Sequence, residues 1–147
     1  MNPIALSDIE KALRSSWGAD TCAPEDVSSW RPDNPARGQC GVTAMVVNDL
    51  LGGDLVYGEV RVRGEFADYH WWNRFGDLEI DLTREQFVPS EVIGPGTTVM
   101  RPAGPPGRCR EQYELLRRRV FAHLGVTQGV SREEREETGG HLADTEV

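Results

Sequence analysis

The feature that most constrains this chain is a cysteine at the start of an apolar helix. Cys40 follows the loop residues Arg37–Gln39, and the apolar density of the stretch 40–51 predicts a central, mostly buried helix that ends at Gly52. A thiol at a helix N-terminus faces the positive end of the helix dipole and unpaired backbone N–H groups. Both favour the reactive thiolate, so we expect Cys40 to be an activated thiol with a pKa well below ~8.5.

Around this helix, hydrophobic patterning predicts a small α+β domain. Ser7 and Glu10 match a capping box that opens a short helix, and Thr83 and Gln86 match a second one that opens a single helical turn. Alternating apolar residues predict strands joined at Gly64 and at Gly76-Asp77. The expected elements are helices over 7–17, 40–51 and 110–124, and strands over 54–62, 67–75, 78–82 and 97–100. Their order predicts helices packed on a short antiparallel sheet.

The domain organisation follows from length and composition. A chain of 147 residues suits one domain with one core. We expect that domain to cover residues 1–125, followed by an acidic, disordered tail over 126–147. The loop over 18–37, rich in Pro, Ser and Asp, is long for a compact domain, and such loops are usually functional or mobile.

Charge and hydropathy exclude several classes of partner. The formal net charge is −8 and the basic residues form no single patch, so we expect no nucleic-acid partner. The arginines at 117–119 share a predicted helix with Glu111 and Glu114, which is typical of a solvated face. No apolar run approaches the ~20 residues that span a bilayer, and the N-terminus does not resemble a signal peptide. We therefore expect a cytoplasmic protein without a membrane partner; its oligomeric state stays open.

The cysteine count predicts neither disulfides nor a metal site. Cys22, Cys40 and Cys109 are too few and too irregularly spaced for a disulfide framework, so free thiols are expected. A zinc site made from these three residues and a histidine is an alternative, but no Cys-x-x-Cys or His-x-x-x-His pair supports it. We predict no metal and no cofactor, and we interpret Cys22 and Cys109 as incidental.

A histidine and an aspartate can join Cys40 through the second hairpin. A two-residue turn at Gly76-Asp77 sets Asp81 opposite Trp72, and His70 then lies on the same face because side chains repeat every second residue. A four-residue turn also puts His70 and Asp81 on one face, whereas a three-residue turn separates them. If the Cys40 helix packs across that face, the three residues can form a triad in which His70 is the base and Asp81 orients it.

Further residues have predicted roles around this triad. The backbone N–H of Cys40 and the side chain of Gln39 are candidate donors to an oxyanion, and indole N–H groups are alternatives. The tryptophans expected to line the cleft are Trp17, Trp30 and Trp72. The structural interpretation of each residue is a buried cysteine, a packed histidine and a strand-end aspartate. The catalytic interpretation is favoured by the order of Cys40, His70 and Asp81 in the chain and by the sheet face that His70 and Asp81 are expected to share.

These motifs resemble a known superfamily. Gly38-Gln39-Cys40 resembles the nucleophile motif of the transglutaminase-like, papain-fold cysteine hydrolases, and Glu79-Ile80-Asp81-Leu82-Thr83 is similar to their aspartate strand. Over residues 13–125 the chain more narrowly resembles the bacterial YunG-like proteins. The resemblance implies a nucleophile helix packed on an antiparallel sheet that carries the base. It also implies Asn73 as a lesser rival to Asp81, because an Asn can replace the Asp in papain-type sites.

Two classes of function follow. The first is a cysteine-dependent acyl-transfer enzyme that acts on a peptide or small amide by hydrolysis, deamidation or transamidation. The second is a catalytically inactive binding or adaptor protein that recognises a peptide or small molecule in the same cleft, or meets a basic partner through its acidic surface. Gly41 stands where many transglutaminases have Trp, and no calcium-binding segment is visible, which argues against calcium regulation and protein crosslinking.

Overall fold

Helices on one side of an antiparallel sheet make up the fold. The computed structural model describes residues 4–104 and 106–126. In that part of the chain the helices are α1 (Leu6–Ser16), α2 (Cys40–Leu51) and α3 (Arg110–Leu124), and the strands are β1 (Asp54–Val62), β2 (Glu65–Phe75), β3 (Leu78–Ile80), β4 (Glu91–Ile93) and β5 (Thr97–Val99). The predicted α+β class with a small antiparallel sheet is confirmed. The predicted acidic tail lies, except for Val126, outside the described residues.

The first three strands form a meander with tight turns. Val62 pairs with Glu65 across a two-residue turn in which Arg63 and Gly64 have φ of 54° and 81°. Positive φ at both positions is the geometry of a type I′ turn, which suits the twist of a hairpin. Phe75 pairs with Leu78 across the second two-residue turn, as predicted. This register continues to Ile80, so Asp81 follows directly after the last paired residue of β3.

The other edge of β1 is shared by two short strands. The five strands are ordered β3-β2-β1-β4, and β5 also pairs with β1. β5 lies beside Leu55–Tyr57, and β4 lies beside Val60–Val62. β5 confirms the strand predicted over 97–100. β4 was not predicted, because its pairing with Val60–Val62 is a long-range contact that the local sequence does not indicate.

The hydrophobic core lies mainly among the helices. Side chains with no exposed surface include Ile9 and Leu13 of α1, Val46 of α2, and Leu116 and Val120 of α3. No helix in residues 4–104 and 106–126 is long and apolar enough to cross a membrane.

Two helix starts differ from the predicted capping boxes. α1 begins at Leu6, and the carboxylate of Asp8 accepts a hydrogen bond from the Ala5 N–H, so the Ser7–Glu10 box does not form. The turn after β3 does form over Arg84–Gln86, but the Gln86 side chain donates to the Thr83 carbonyl. The two capping-box motifs thus correctly predicted that helical segments occur there, but the caps themselves are formed by other contacts.

The long loop before α2 has defined internal contacts. Its residues Pro24–Ser29 form a 3₁₀-helix, and the Trp30 indole N–H donates to the Pro35 carbonyl at 3.0 Å. The loop that precedes α2 is therefore ordered by its own hydrogen bonds.

Candidate active site

The segment that enters α2 contains a glycine, Gly38, in the left-handed region of backbone conformation. Gly38 has φ of +72°, and an added Cβ would lie 2.5 Å from Cys22 Sγ and 2.8 Å from Asp26 Cβ. Its N–H donates to the side chain of Gln86 at 3.1 Å. Only glycine fits this conformation and this space, so the segment before Cys40 is held between the long loop and the turn after β3.

Cys40 lies at the edge of β2. β3 pairs only with Asn73–Phe75, which leaves the adjacent part of that edge without a strand. The backbone N–H groups of Trp71 and Gly41 lie close enough to the Cys40 sulfur to favour its thiolate form. The thiol therefore lies beside the strand that carries His70, at the neighbouring residue.

His70 and Asp81 form a close pair. His70 Nε2 lies 2.6 Å from Asp81 Oδ2, and the His70 side chain is completely buried. A carboxylate only accepts hydrogen bonds, so Nε2 carries the proton and Nδ1 of the neutral ring is an acceptor. Among the described residues, His70 Nδ1 is a buried nitrogen with no hydrogen-bond partner. One ring nitrogen is thus oriented by Asp81 and the other is available to a proton donor.

Neighbouring groups hold this pair in position. Trp72 stacks on the imidazole with ring centroids 5.3 Å apart, and Phe87 meets it edge-on at 4.7 Å. The second oxygen of Asp81 accepts the Thr83 N–H at 3.3 Å. These contacts restrict the ring plane and the carboxylate together.

α2 does not pack across the face that carries His70. The Asn73 amide donates to the Ala44 carbonyl of α2 at 2.9 Å. Since alternate side chains point to opposite faces, α2 lies on the face of Trp71 and Asn73, and His70 lies on the other. The conditional prediction of a shared face is corrected: Cys40 reaches β2 at its edge. No hydrogen bond joins Cys40 to His70 within the described part of the chain.

The surroundings of Cys40 disfavour its thiolate form. Burial raises the pKa of Cys40 to about 12, Asp68 and Asp81 act in the same direction, and the Trp71 and Gly41 N–H groups oppose them. The prediction of a lowered pKa is corrected. The dipole at the helix start is present, but loss of hydration of the thiolate is the larger effect.

Gln39 and Asn73 have structural contacts. The Gln39 side chain is fully buried, donates to the Gly18 carbonyl at 2.9 Å and accepts from the Thr21 hydroxyl at 2.8 Å. It anchors the long loop to α2, and its oxyanion role stays a prediction. Asn73 binds Ala44 rather than the imidazole, so Asp81 is the residue that orients His70.

A cavity of about 780 Å³ opens beside Cys40. Its wall contains Trp71, and Trp17, Trp30 and Trp72 lie elsewhere in the described structure, which corrects the predicted cleft lining. The physical reason is that the three indole N–H groups are used inside the fold. Trp17 donates to Thr43, Trp30 donates to Pro35, and Trp72 donates to Glu79.

Sequence comparison now identifies the family. The sequence family described as "YunG protein" matches residues 5–125, which is most of the chain. The chain belongs to the YunG family. It is 32% identical over 82 residues to "Uncharacterized protein YunG" of Bacillus subtilis (strain 168), a match that covers 56% of this chain and 63% of that relative. The chain thus spans less than two thirds of that relative's length. No solved structure matches the chain.

The matched region of this YunG family member contains site residues that pattern reading missed. Gln86 joins Gly38 to the Thr83 carbonyl, and so connects the loop before Cys40 to the segment that carries Asp81. Asp26 and Asp68 line the cavity near Cys40. Nothing in the sequence around Asp26 and Asp68 indicated that they lie near Cys40. Gln86 was noticed through its spacing from Thr83, but that spacing was interpreted as a helix cap.

The other thiols of this YunG family chain have different surroundings. Cys22 is buried, and that burial raises its pKa to about 11. Within residues 4–104 and 106–126, no group of three or more His, Cys, Asp or Glu side chains is arranged to hold a metal ion. The zinc alternative therefore has no support from these residues.

Proposed function

We propose that this YunG family chain is a cysteine-dependent acyl-transfer enzyme that acts on a peptide or a small amide. Cys40 is the nucleophile, His70 is the general base and then the general acid, and Asp81 fixes the His70 tautomer. A finer part of the proposal is that the α+β fold is a papain- or transglutaminase-like core. It is supported by the order cysteine helix, histidine strand and aspartate segment.

The chemistry proceeds in two halves. Cys40 Sγ–H gives its proton to His70 Nδ1 as the sulfur attacks the carbonyl carbon, and the oxyanion accepts the Cys40 backbone N–H. The tetrahedral intermediate collapses, the C–N bond breaks, and the amine leaves with the proton from His70. Water or a second amine then attacks the thioester, releases the acid or a new amide, and restores the thiol.

The observation that carries the proposal is the state of the His70 ring. Nε2 lies 2.6 Å from the Asp81 carboxylate, and within the described residues the buried Nδ1 has no hydrogen-bond partner. An unsatisfied buried acceptor costs about 1–3 kcal/mol, so its retention requires an explanation. A role as proton acceptor for Cys40, whose sulfur lies near the next residue of the same strand, supplies one. The raised pKa of Cys40 fits a proton transfer that accompanies substrate binding.

Covalent trapping tests this function. We expect a panel of peptidyl chloromethyl ketones, differing in the residue next to the electrophile, to label Cys40, as read by mass spectrometry of the intact protein and its peptides. The Asp81→Asn variant keeps the side-chain shape and removes the carboxylate that fixes Nε2–H. Its labelling by the best peptidyl probe should be slower by ~10-fold or more.

Iodoacetamide provides the matched control. It alkylates a thiol without substrate recognition, and Asp81 raises the pKa of Cys40, so Asp81→Asn should not slow it. Slower labelling of Asp81→Asn by the peptidyl probe, without slower alkylation by iodoacetamide, supports a role of Asp81 in the reaction. Equal peptidyl labelling of the wild type and Asp81→Asn, with both folded by circular dichroism, would contradict the triad.

A binding protein without catalysis is the second candidate function. The raised pKa of Cys40 and the lack of a hydrogen bond between Cys40 and His70 in the described structure favour it. In that case the cavity binds a peptide or small molecule and the thiol stays intact. The expected result is saturable protection of Cys40 from iodoacetamide by the matching amide peptide, with no thioester and no product amine.

A further inference from the structure

The wall of the cavity on the sheet side is aromatic. Tyr69 and Trp71 line it, and Tyr57 lies between them with ring centroids 5.7 and 5.3 Å away. Phe66 extends the cluster, 5.0 Å from Tyr69. Tyr69 keeps 48% of its surface exposed, so aromatic surface is available to a ligand beside Cys40. Ring faces of this kind attract cations as well as apolar groups.

The guanidinium groups in the cavity wall already have partners. Arg37 pairs with Glu91 at 3.3 Å, and Arg108 pairs with Glu25. Arg101 pairs at 2.5 Å with Asp49, which lies outside the wall. These cations are therefore committed to protein carboxylates.

Two carboxylates in the same wall make no ion pair within the described residues. Asp68 has one oxygen held by the Tyr69 N–H at 2.7 Å. Asp26 packs against Gly38, two residues before Cys40. Burial raises the pKa of Asp26, Asp68 and Glu91 add to the effect, and Arg37 opposes it. The cavity thus has uncompensated negative charge next to exposed rings.

We propose that this cavity binds a cationic group of the substrate, an ammonium or a guanidinium, between the carboxylates of Asp26 and Asp68 and the rings of Tyr69 and Trp71. The assignment as a substrate subsite rests on the proposed function of Cys40. An anionic group would be repelled by both carboxylates, and an uncharged group would gain no attraction from their charges. A cation satisfies the carboxylates and the rings together.

Occupancy of this subsite changes the thiol. Asp68 is one of the charges that disfavour the Cys40 thiolate. A cation bound to Asp68 offsets that charge, and so lowers the pKa of Cys40 while the substrate is present. The nucleophile then responds to its own substrate and stays protonated without it.

Charged thiol reagents of matched size test the subsite without any knowledge of the substrate. The probes are the methanethiosulfonates that carry a trimethylammonium-ethyl or a sulfonato-ethyl group. Each rate at Cys40, measured by peptide mass spectrometry, is divided by the reagent's rate with 2-mercaptoethanol. We expect the cationic reagent to be favoured by ~10-fold or more, and the double variant Asp26→Asn with Asp68→Asn to lose most of that preference. The ratio cancels any change in the pKa of Cys40.

A charge-matched double variant on α3 is the control. Glu111→Gln with Glu114→Gln changes the net charge equally at exposed positions outside the cavity wall, and it should retain the preference. Equal normalised rates for the two reagents in the wild type would overturn the proposal, as would an equal loss of preference in the control. These reagents attack any accessible thiol, so a preference that persists while peptidyl probes fail would contradict catalysis and leave the cation site intact.

Discussion

At the scale of single residues, Cys40 shows why a position at a helix start does not by itself lower the pKa of a cysteine. The sequence predicted helix-start N–H groups and the dipole near the thiol, and the Gly41 N–H does act to lower the pKa of Cys40, as does the Trp71 N–H, which was not predicted. It did not predict that the half-buried Cys40 would have its thiolate disfavoured by loss of hydration, because that loss depends on segments far away in the chain. The proximity of His70 and Asp81 could be predicted from the sequence, since the Gly76-Asp77 turn sets the register of two adjacent strands.

The raised pKa of Cys40 predicts an unusual alkylation profile. With a pKa of about 12, the thiolate fraction grows tenfold for each pH unit from pH 6 to 10, so the iodoacetamide rate at Cys40 should climb without a plateau. The same cysteine in the urea-denatured chain should level off above an ordinary value of ~8.5. Peptide mass spectrometry of samples quenched over time gives both profiles. A plateau in the native protein below pH 8 would contradict the burial effect.

At the scale of elements, the cavity wall formed by the segment before α3 depends on one arginine. Arg101 donates to the Met45 carbonyl and to Asp49 of α2, and to the Tyr113 hydroxyl of α3. Arg117 also binds Asp49, at 3.2 Å. The network joins the loop to two helices across a half-buried site, so Arg101 fixes that side of the cavity.

Two arginines of the same loop should therefore differ in their effect on stability. Arg101→Ala leaves the half-buried Asp49 with Arg117 and Tyr113 as partners and should lower the free energy of unfolding by about 2 kcal/mol. Arg108→Ala breaks an exposed pair with Glu25 and should cost less than ~1 kcal/mol. Urea unfolding followed by tryptophan fluorescence measures both. Equal losses would show that the Arg101 network does not anchor the loop.

The elements also separate what local sequence can predict from what it cannot. The β1–β2–β3 meander follows from alternation and from glycines at the turns. β4 was missed because its pairing with Val60–Val62 joins distant segments. The face on which α2 packs was also a long-range property, and its one visible sign, the Asn73 amide that binds Ala44, was interpreted as a possible catalytic group.

At the scale of the whole molecule, the α+β class was predictable, and the deep contacts between segments were not. Cys22 was interpreted as incidental, yet it lies against Gly38 at the entry to α2 and is 1% exposed. Burial raises its pKa from 9.0 to about 11, with Asp26 adding to the effect. A thiol that must stay protonated inside the fold links global stability to alkaline pH.

We expect stability to fall as pH rises from about 9 to 11. In that window the unfolded chain releases the Cys22 proton and the folded chain retains it, so folding is disfavoured by about 2–3 kcal/mol at the upper end. Urea unfolding at pH 8 and pH 11 should show a smaller difference for Cys22→Ala than for the wild type, even if the variant is less stable at both. The same difference in both proteins would exclude Cys22 as a source of the pH dependence.

The uneven lengths of β2 and β3 also affect how copies of this molecule meet. β2 has 11 residues, β3 covers only its last three, and a bare strand edge is a template for pairing with another chain. Here the Tyr69 N–H is already bound by the Asp68 carboxylate. An approaching strand would have to displace a negative charge to pair there, so the same aspartate that faces the cavity also protects the protein against edge-to-edge aggregation.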